Sequence, residues 1–255
     1  MTEPVTVTVL APVLNRAHRV APLAASLHDS LIDEDAEVTL LFLCTVNDHA
    51  EIAEIRKHNL WHMIVPSRSG VGEYAGKINY GVDHTTSDWF LTAADDLLFH
   101  RGWLREALNV HIRTGALVIA TNDMVNSAVK AGRHGTHSLV HRNYVAQGTI
   151  DEPGKLLHEG YSHNAVDVEF TETAQARGVW AFAEKSLVQH LHPTFDRRIK
   201  RDATYDKGMK FATRDRVLCA QRRKLWNPDA PTVRASSIRM AAKKRPKPVS
   251  RWPAR

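Results

Sequence analysis

The sequence predicts an α/β fold, a mainly parallel sheet with helices on both faces. The segments "VTVTVLAP" and "EVTLLFLCTV" are rich in β-branched and apolar residues, which favours strands. Between them, "RVAPLAASLHDSL" has apolar residues spaced three and four apart, which favours a helix. Because this alternation continues to about residue 122, ligands are expected beyond the carboxyl ends of the strands.

The remaining elements follow in the same alternating order. Helices are predicted at "HAEIAEIRKH", "YAGKINYGVDH" and "GWLREALNVHIRT", and strands at "WHMIVP", "DWFLTAA" and "ALVIATN". After Asn122, a long segment rich in Gly, His and Asn predicts a binding loop. A helix is then predicted at "NAVDVEFTETAQARG", where Gly178 occupies a C-cap position, followed by the strand "VWAFAE" and the extended segment "SLVQHLHP".

The composition indicates one large domain, or one domain plus a small extension, in a reducing compartment. The chain has 255 residues, 43% of them hydrophobic, which is enough for a full core. The two cysteines have no metal-knuckle spacing, the first residues lack a cationic leader, and no apolar run approaches membrane-spanning length. We therefore expect a cytoplasmic protein without a transmembrane segment.

The net charge of +6 is concentrated in the C-terminal third. Residues 1–196 hold 15 Lys and Arg against 24 Asp and Glu, residues 197–224 hold 11 against 3, and residues 231–255 hold 8 against none. Such a distribution suits a polyanionic partner, which is DNA, RNA or an anionic membrane face. For residues 231–255, a disordered basic tail without a partner is the alternative.

Two adjacent carboxylates, Asp95 and Asp96, end the apolar run of "DWFLTAADDLLF". Burying an unpaired carboxylate is costly, so a strand that ends in two of them must provide a cation, a hydrogen-bonded niche or water. The alternative is that the two acids cap the helix that follows.

Four segments resemble motifs of GT-A glycosyltransferases of the family-2 type. "VTVLAPVLNRAHRVAPLAASL" resembles the first strand, loop and helix, and "GVGEYAGKINYGVDHTTSDWFLTAADDLLFHRGWL" looks like the block that carries the acidic cluster. "VDVEFTETAQARG" is similar to the helix that carries the catalytic base, and "HLHP" resembles the histidine segment after it. The resemblance covers roughly residues 5–193 in family order and implies a Rossmann-like GT-A fold.

The resemblance implies transfer of a sugar from a nucleotide-diphosphate donor, with UDP favoured, to an acceptor hydroxyl. A divalent cation would bridge the two donor phosphates and neutralise the leaving group. Asp96 is the predicted metal ligand, and Asp95 is predicted to contact ribose or a bound water. The family's usual Asp-x-Asp form is altered here, because Ala94 stands at its first acidic position.

Two histidines, His190 and His192, are candidates for the second metal ligand. They alternate along an extended segment, so they are expected to face opposite ways, and only one should join the site. His192, directly before Pro193, matches the family's metal-binding histidine best. Mixed carboxylate and imidazole ligation favours Mn²⁺ over Mg²⁺.

Asp167 matches the catalytic base of the family. It would accept the proton of the acceptor hydroxyl during a single displacement with inversion. Glu169 points about 200° away on a helix, so it is expected to support the site or to pair with an arginine.

Further donor contacts are implied in the first loop and at neighbouring strand ends. Arg16 is predicted to reach phosphate and Asn15 to shape the turn. Asp48 is predicted to contact the nucleotide base and Lys77 the diphosphate. The full predicted donor set is Pro12, Asn15, Arg16, Asp48, Lys77 and Asp95.

The basic segment predicts the acceptor. Tyr205, Phe211 and Trp226 are interleaved with Lys and Arg, as on nucleic-acid surfaces. We therefore predict DNA as acceptor, specifically a hydroxymethylated pyrimidine, a modification familiar in bacteriophages. Protein, lipid-linked and polysaccharide acceptors, and contact with an anionic membrane surface, stay open. The predicted polyanion contacts are Arg197, Arg198, Lys200, Arg201, Lys207, Arg222 and Arg223.

This assignment divides the chain into a GT-A domain, residues 1–230, and a basic flexible tail, residues 231–255. The domain has a donor-binding half up to about residue 122 and an acceptor half over residues 123–230.

Two rival functions follow from other features. "GVGEYA" satisfies a dinucleotide-binding pattern, with Asp95 about 20 residues further on, which would indicate an NAD enzyme. Against it, "PSRS" separates the glycines from the preceding strand, whereas that pattern requires a tight turn. The second rival is a nucleotide- or DNA-binding module without catalysis, which Ala94 supports.

Overall fold

The computed structural model describes residues 4–32, 34–70 and 72–230, so the predicted basic tail lies outside the described residues. The described strands form one eight-stranded sheet in the order β3-β2-β1-β4-β7-β6-β8-β5. The strands are β1 Val5–Pro12, β2 Ala36–Thr45, β3 His62–Val65, β4 Trp89–Thr92, β5 Leu97–Phe99, β6 Val118–Asn122, β7 Ser138–His141 and β8 Trp180–His190.

The sheet is mostly parallel, as the sequence predicts. Strands β1 to β4 run parallel to one another, and β6 runs parallel to β8. Only β7 and β5 are antiparallel to their neighbours within the described residues. The predicted fold class is therefore confirmed.

Helices cover both faces of the sheet. They are α1 Val20–Ser30, α2 His49–Lys57, α3 Glu73–Asp83, α4 Trp103–Thr114, α5 Ser127–Lys130, α6 Arg142–Gln147, α7 Val166–Ala176, α8 Ala203–Met209 and α9 Ala212–Arg222. Alternate side chains of β1 divide between two cores, with Val7 and Val9 packing beneath α1, α2 and α4 and Leu10 packing beneath α3, α6 and α7. No helix of the described ranges is both long and apolar enough to span a membrane.

Several segments differ from the expected elements, among them β5, α8 and α9, which were not predicted. The predicted loop after Asn122 contains β7, which lies between β4 and β6, and two short helices. A four-residue strand carries too little periodicity to be seen in the sequence. The strand "VWAFAE" and the segment "SLVQH" form one continuous strand, β8, which ends at His190.

The residue before α3, Gly72, lies against the backbone of the loop that leads to α7. Its N–H donates to the Glu159 carbonyl oxygen at 2.7 Å. A Cβ at this position would lie 1.5 Å from the Tyr161 carbonyl oxygen, so only glycine allows the two backbones to approach this closely. The contact holds the start of α3 beside the segment that precedes α7.

Candidate active site

A cleft of about 570 Å³ opens beyond the carboxyl ends of β1 and β4. This is the place where parallel sheets with helices on both faces bind ligands. The segments that line it come from far apart in the sequence. They include residues 12–16 after β1, α3, residues 94–96 after β4, residues 136–137 before β7, residues 162–167 at the start of α7, residues 190–195 after β8, and α8.

The floor of the cleft is an ion-pair cluster around Arg16. Its Nη1 donates to Asp95 Oδ1 at 2.7 Å and lies 3.5 Å from Asp96 Oδ2, while its Nε donates to Asp202 Oδ2 at 2.9 Å. Its guanidinium carbon also lies 3.9 Å from the centre of the Tyr205 ring. The predicted contact of Arg16 with donor phosphate stays a prediction, because in this arrangement its charge is shared among three carboxylates.

The turn before Arg16 explains its position. Asn15 has φ of 54°, a left-handed conformation that Asn tolerates better than most residues. Its N–H donates to Asp48 Oδ2 at 2.5 Å, and Asp48 also accepts from the N–H of Glu51 as the N-cap of α2. The turn-shaping role predicted for Asn15 agrees with this geometry. Asp48 does not line the cleft, so its predicted contact with the nucleotide base stays a prediction.

Asp96 is buried and has three neighbours that favour its ionised form. The Tyr205 hydroxyl donates to its Oδ2 at 2.5 Å, and His190 Nε2 lies 3.3 Å from its Oδ1. Burial alone would raise the pKa of Asp96, but the His190 contact, the Tyr205 hydrogen bond and Arg16 together lower it. The alternative that Asp95 and Asp96 cap the next helix is wrong, because the N-cap of α4 is Gly102.

The carboxylates of the cluster outnumber its permanent positive charges. Asp95, Asp96 and Asp202 face a single guanidinium, and burial together with the neighbouring Asp96 raises the pKa of Asp95 to about 7 despite Arg16. Asp96 Oδ1 is in addition a buried oxygen without a well-aligned hydrogen-bond donor. Both observations fit a site that takes up a cation.

His190 lies 3.3 Å from this oxygen, and His137, His163 and His192 also line the cleft. The expectation that His190 and His192 face opposite ways is wrong: both line the cleft, because β8 ends at His190 and His192 no longer follows strand alternation. Which of the two would hold a metal stays a prediction. His192 Nδ1 accepts the Thr194 N–H at 3.2 Å, which places the proton of a neutral ring on the other nitrogen. His190 Nδ1 is buried without a partner.

His137 has a ring arrangement typical of metal ligands. Its Nδ1 lies 2.9 Å from the Thr92 carbonyl oxygen, so it donates there, and the buried Nε2 keeps a free lone pair. Among the described residues, three ligand side chains come within 4.8 Å of one another only at Asp151, Glu152 and His158, none of which lines the cleft. Potential metal ligands therefore line the cleft, but no three of those described lie within 4.8 Å of one another.

Asp167 faces the cleft from the first turn of α7. Its side chain is 31% exposed, and its Oδ2 lies 3.0 Å from His134 Nε2. Glu169 points away, as predicted, and its buried carboxylate accepts from the Tyr161 hydroxyl and from Arg222. The helix therefore places Asp167 in the cleft and Glu169 in the core.

Lys77 lines the cleft but is engaged in the protein. Its Nζ donates to the Val13 carbonyl oxygen at 2.7 Å and to Glu73 Oε1 at 3.1 Å. Pro12, at the end of β1, also lines the cleft.

The predicted polyanion contacts of the C-terminal segment divide into three groups. Arg222 pairs with Asp151 and Glu169, and Arg223 pairs with Glu172, so these two are used inside the fold rather than on a free basic surface. Arg201 and Lys207 line the cleft, although Arg201 also pairs with Asp206. Arg197, Arg198 and Lys200 are exposed, and Arg198 pairs with Asp196.

Sequence reasoning did not single out His134, His137, Tyr74 or the role of Tyr205 at the acidic pair. Tyr74 lines the cleft and donates to the Ala93 carbonyl oxygen at 3.2 Å. His134 and His137 lie in the irregular segment before β7, where the only signal was a local excess of Gly and His.

The family of the chain follows from its sequence. Residues 8–173 match the model of the family described as Glycosyl transferase family 2. Because the match covers more than half of the chain, the protein belongs to this family and is a GT-A glycosyltransferase that uses a nucleotide-sugar donor. Comparison with curated proteins finds no significant sequence match.

Solved structures share the fold at low sequence identity. A mannosyltransferase, PcManGT from Pyrobaculum calidifontis, in complex with GDP-Man and Mn²⁺, is 14% identical with a TM-score of 0.60, over 97% of this chain and 78% of that chain. S. aureus TarS 1-349 in complex with UDP-GlcNAc is 13% identical with a TM-score of 0.62, over 92% and 69%.

A third structure is glucosyl-3-phosphoglycerate synthase from Mycobacterium tuberculosis in complex with Mn²⁺, UDP-glucose and phosphoglyceric acid. It is 13% identical with a TM-score of 0.55, over 86% of this chain and 79% of that chain. The family assignment excludes the NAD enzyme. The structure agrees, because "GVGEYA" follows β3 at the edge of the sheet rather than the central strand β1.

Proposed function

We propose that the protein is an inverting, cation-dependent glycosyltransferase that moves a sugar from a UDP-sugar to an acceptor hydroxyl, with Asp167 as the base. The observation that carries this proposal is the shared cleft, in which the acidic pair after β4 and Asp167 at the start of α7 line one space. Asp95 and Asp96 lie on the donor side of that space, and α7 belongs to the acceptor half.

The donor side supplies charge for the diphosphate. Arg16, Lys77 and Asp95, together with Pro12, line the cleft beyond β1 and β4 and would contact the donor. Asp96 would hold the divalent cation with an imidazole, His192 by sequence resemblance and His190 by its nearness to Asp96. When bound, the cation neutralises charge that develops on the leaving diphosphate. Two solved structures of this fold that contain Mn²⁺ support this choice of metal.

Asp167 carries the chemical step in this proposal. Its carboxylate accepts the proton of the acceptor hydroxyl while that oxygen attacks the anomeric carbon of the sugar. The bond from the anomeric carbon to the phosphate oxygen breaks, and the nucleoside diphosphate leaves with that electron pair. Since the attack comes from the face opposite the leaving group, the configuration inverts.

DNA carrying hydroxymethylated pyrimidines is the acceptor that we propose. The cleft wall formed around α8 combines exposed apolar side chains, Phe195, Met209 and Phe211, with Arg201 and Lys207. Aromatic faces next to cations suit a base stacked beside its phosphates. Residues 231–255, which carry 8 basic residues and no acid, would add phosphate contacts.

A turnover assay tests the donor and base assignments. Purified protein is incubated with labelled UDP-sugars, with and without Mn²⁺, and the release of UDP is followed. Asp96→Ala and Asp167→Asn should each lose about 10²-fold or more in kcat, while Asp83→Asn, an exposed acid outside the cleft, should keep the wild-type rate. Full activity in either cleft variant would remove the role assigned to that residue.

A product assay tests the acceptor. Plain DNA, hydroxymethylated DNA and cell fractions of protein, lipid and polysaccharide are each offered with the labelled donor. Label in the hydroxymethylated nucleosides alone supports the proposal. Label only in lipid, protein or polysaccharide would replace DNA with that acceptor, and deletion of residues 231–255 should lower the salt dependence of DNA binding if these residues contact phosphate.

A further inference from the structure

His134 lies directly behind Asp167. Its Nε2 is 3.0 Å from Asp167 Oδ2, and its side chain is only 14% exposed. Asp167 lines the cleft, whereas His134 does not, so a substrate in the cleft would meet the aspartate and not the histidine.

The loop that carries His134 is fixed on both sides. The Gly135 N–H donates to Thr171 Oγ1 at 3.2 Å, and the Thr171 hydroxyl lies 3.2 Å from the Gly135 carbonyl oxygen, which fastens the loop to α7. A Cβ at Gly135 would lie 2.7 Å from the Ala120 Cβ, so the loop is also pressed against β6. The backbone next to His134 is therefore held in place by contacts unrelated to Asp167.

The contact also shapes the electrostatics of both groups. Burial alone would raise the pKa of Asp167, but the hydrogen bond and charge of His134 lower it, with help from the Val168 N–H at 3.0 Å from Oδ1. Conversely, burial alone would lower the pKa of His134, and Asp167 raises it. Other titratable groups that face the pair are Tyr74, Asp123, His137, His163, Glu172 and His190.

We propose that His134 is a positioning residue, which orients the Asp167 carboxylate toward the cleft and supplies it with a compensating positive charge. This inference rests on the proposed role of Asp167 as the base. Asp167 must be ionised to accept a proton, so activity falls as the pH drops through its pKa. Without His134 that pKa rises, and the acidic limb of the pH–rate profile moves to higher pH.

The test compares His134→Ala and His134→Gln with Asp167→Asn in the full chain, using UDP release across pH. His134→Ala should lower kcat by about tenfold or more with little change in the donor KM, and should move the acidic limb up by about one pH unit. His134→Gln keeps a hydrogen-bond donor without the charge, so it should recover part of kcat and move the acidic limb to higher pH by less than His134→Ala does.

The outcomes separate this inference from the proposed function. If Asp167→Asn is inactive while both His134 variants keep the wild-type kcat and the wild-type limb, the positioning role is overturned and the base assignment stands. If Asp167→Asn keeps full activity, the base assignment fails instead. If the melting temperature shows that His134→Ala does not fold, the acidic limb of the pH–rate profile of His134→Gln tests the positioning role instead.

Discussion

The Tyr205 hydroxyl donates to Asp96 Oδ2 at 2.5 Å, although the two residues are 109 positions apart. This hydrogen bond attaches α8, in the basic C-terminal segment, to the acidic pair at the end of β4. The segment predicted to bind polyanions is therefore also attached to the acidic pair, which lies on the proposed donor side of the cleft.

Replacing Tyr205 with Phe should destabilise the protein. The buried carboxylate would lose a charge-assisted hydrogen bond, which we expect to lower the free energy of unfolding by about 2 kcal/mol. Thermal unfolding should show a melting temperature about 4 to 8 °C lower. The matched control is Tyr80→Phe, because the Tyr80 hydroxyl forms no hydrogen bond with the described residues. Equal effects of the two substitutions would contradict the role of the Tyr205 contact.

Removing Arg16 should make the protein more responsive to divalent cations. Arg16→Ala leaves Asp95, Asp96 and Asp202 without their guanidinium, and breaking a buried ion pair costs about 3 to 5 kcal/mol. Mn²⁺ should then raise the melting temperature of Arg16→Ala by more than it raises that of the wild-type protein. Arg68→Ala, which removes an exposed ion pair with Glu159, serves as the control. An identical response to Mn²⁺ in variant and wild type would count against a cation site at the acidic pair.

The two histidines after β8 should differ in their effect on metal binding. His190 Nε2 lies 3.3 Å from Asp96 Oδ1, whereas His192 Nδ1 accepts a backbone N–H. We therefore expect His190→Gln to weaken Mn²⁺ binding on the order of tenfold and His192→Gln to change it less. Calorimetric titration with Mn²⁺ in the presence of UDP measures both. The reverse order would return the ligand role to His192, as the sequence resemblance suggests.

The basic residues should separate into stabilising and acceptor-contacting groups. Arg222 is 11% exposed and bridges Asp151 and Glu169, so Arg222→Gln should lower the free energy of unfolding by about 3 kcal/mol without raising the acceptor KM. Lys207→Gln, in the cleft wall, should raise the acceptor KM and change stability by only about 0.5 kcal/mol. Both quantities are measured for each variant. If the acceptor KM rises only in Arg222→Gln, then Arg222 contacts the acceptor and Lys207 does not.

The sequence predicts the fold because its signals are local. The apolar periodicity of α1 and α4 and the β-branched runs of β1 and β2 each lie within one segment, and short strands joined through helices leave few other topologies. Asp95, Asp96 and Asp167 could be singled out because they lie in segments that resemble family motifs. All three line one cleft, and their roles stay predictions.

The contacts within the site could not be predicted because they join distant segments. Arg16 and Asp202 are 186 positions apart, and His134 and Asp167 meet only because the loop before β7 folds onto α7. Strand alternation predicts that His190 and His192 face opposite ways. This is wrong because β8 ends at His190, so the alternation does not extend to His192. Arg222 and Arg223 form ion pairs with Glu169 and Glu172 in the folded chain. The composition of the segment does not show that these two positive charges already have acidic partners.

The close approach of Gly72 to the carbonyl of Tyr161 has a use in comparing related sequences. A homologue with any other residue at this position must route the strand-to-helix connection differently, because the Cβ would occupy the place of a backbone oxygen. Glycine at position 72 is therefore a simple criterion for judging which distant sequences keep this close approach of the start of α3 to the segment before α7.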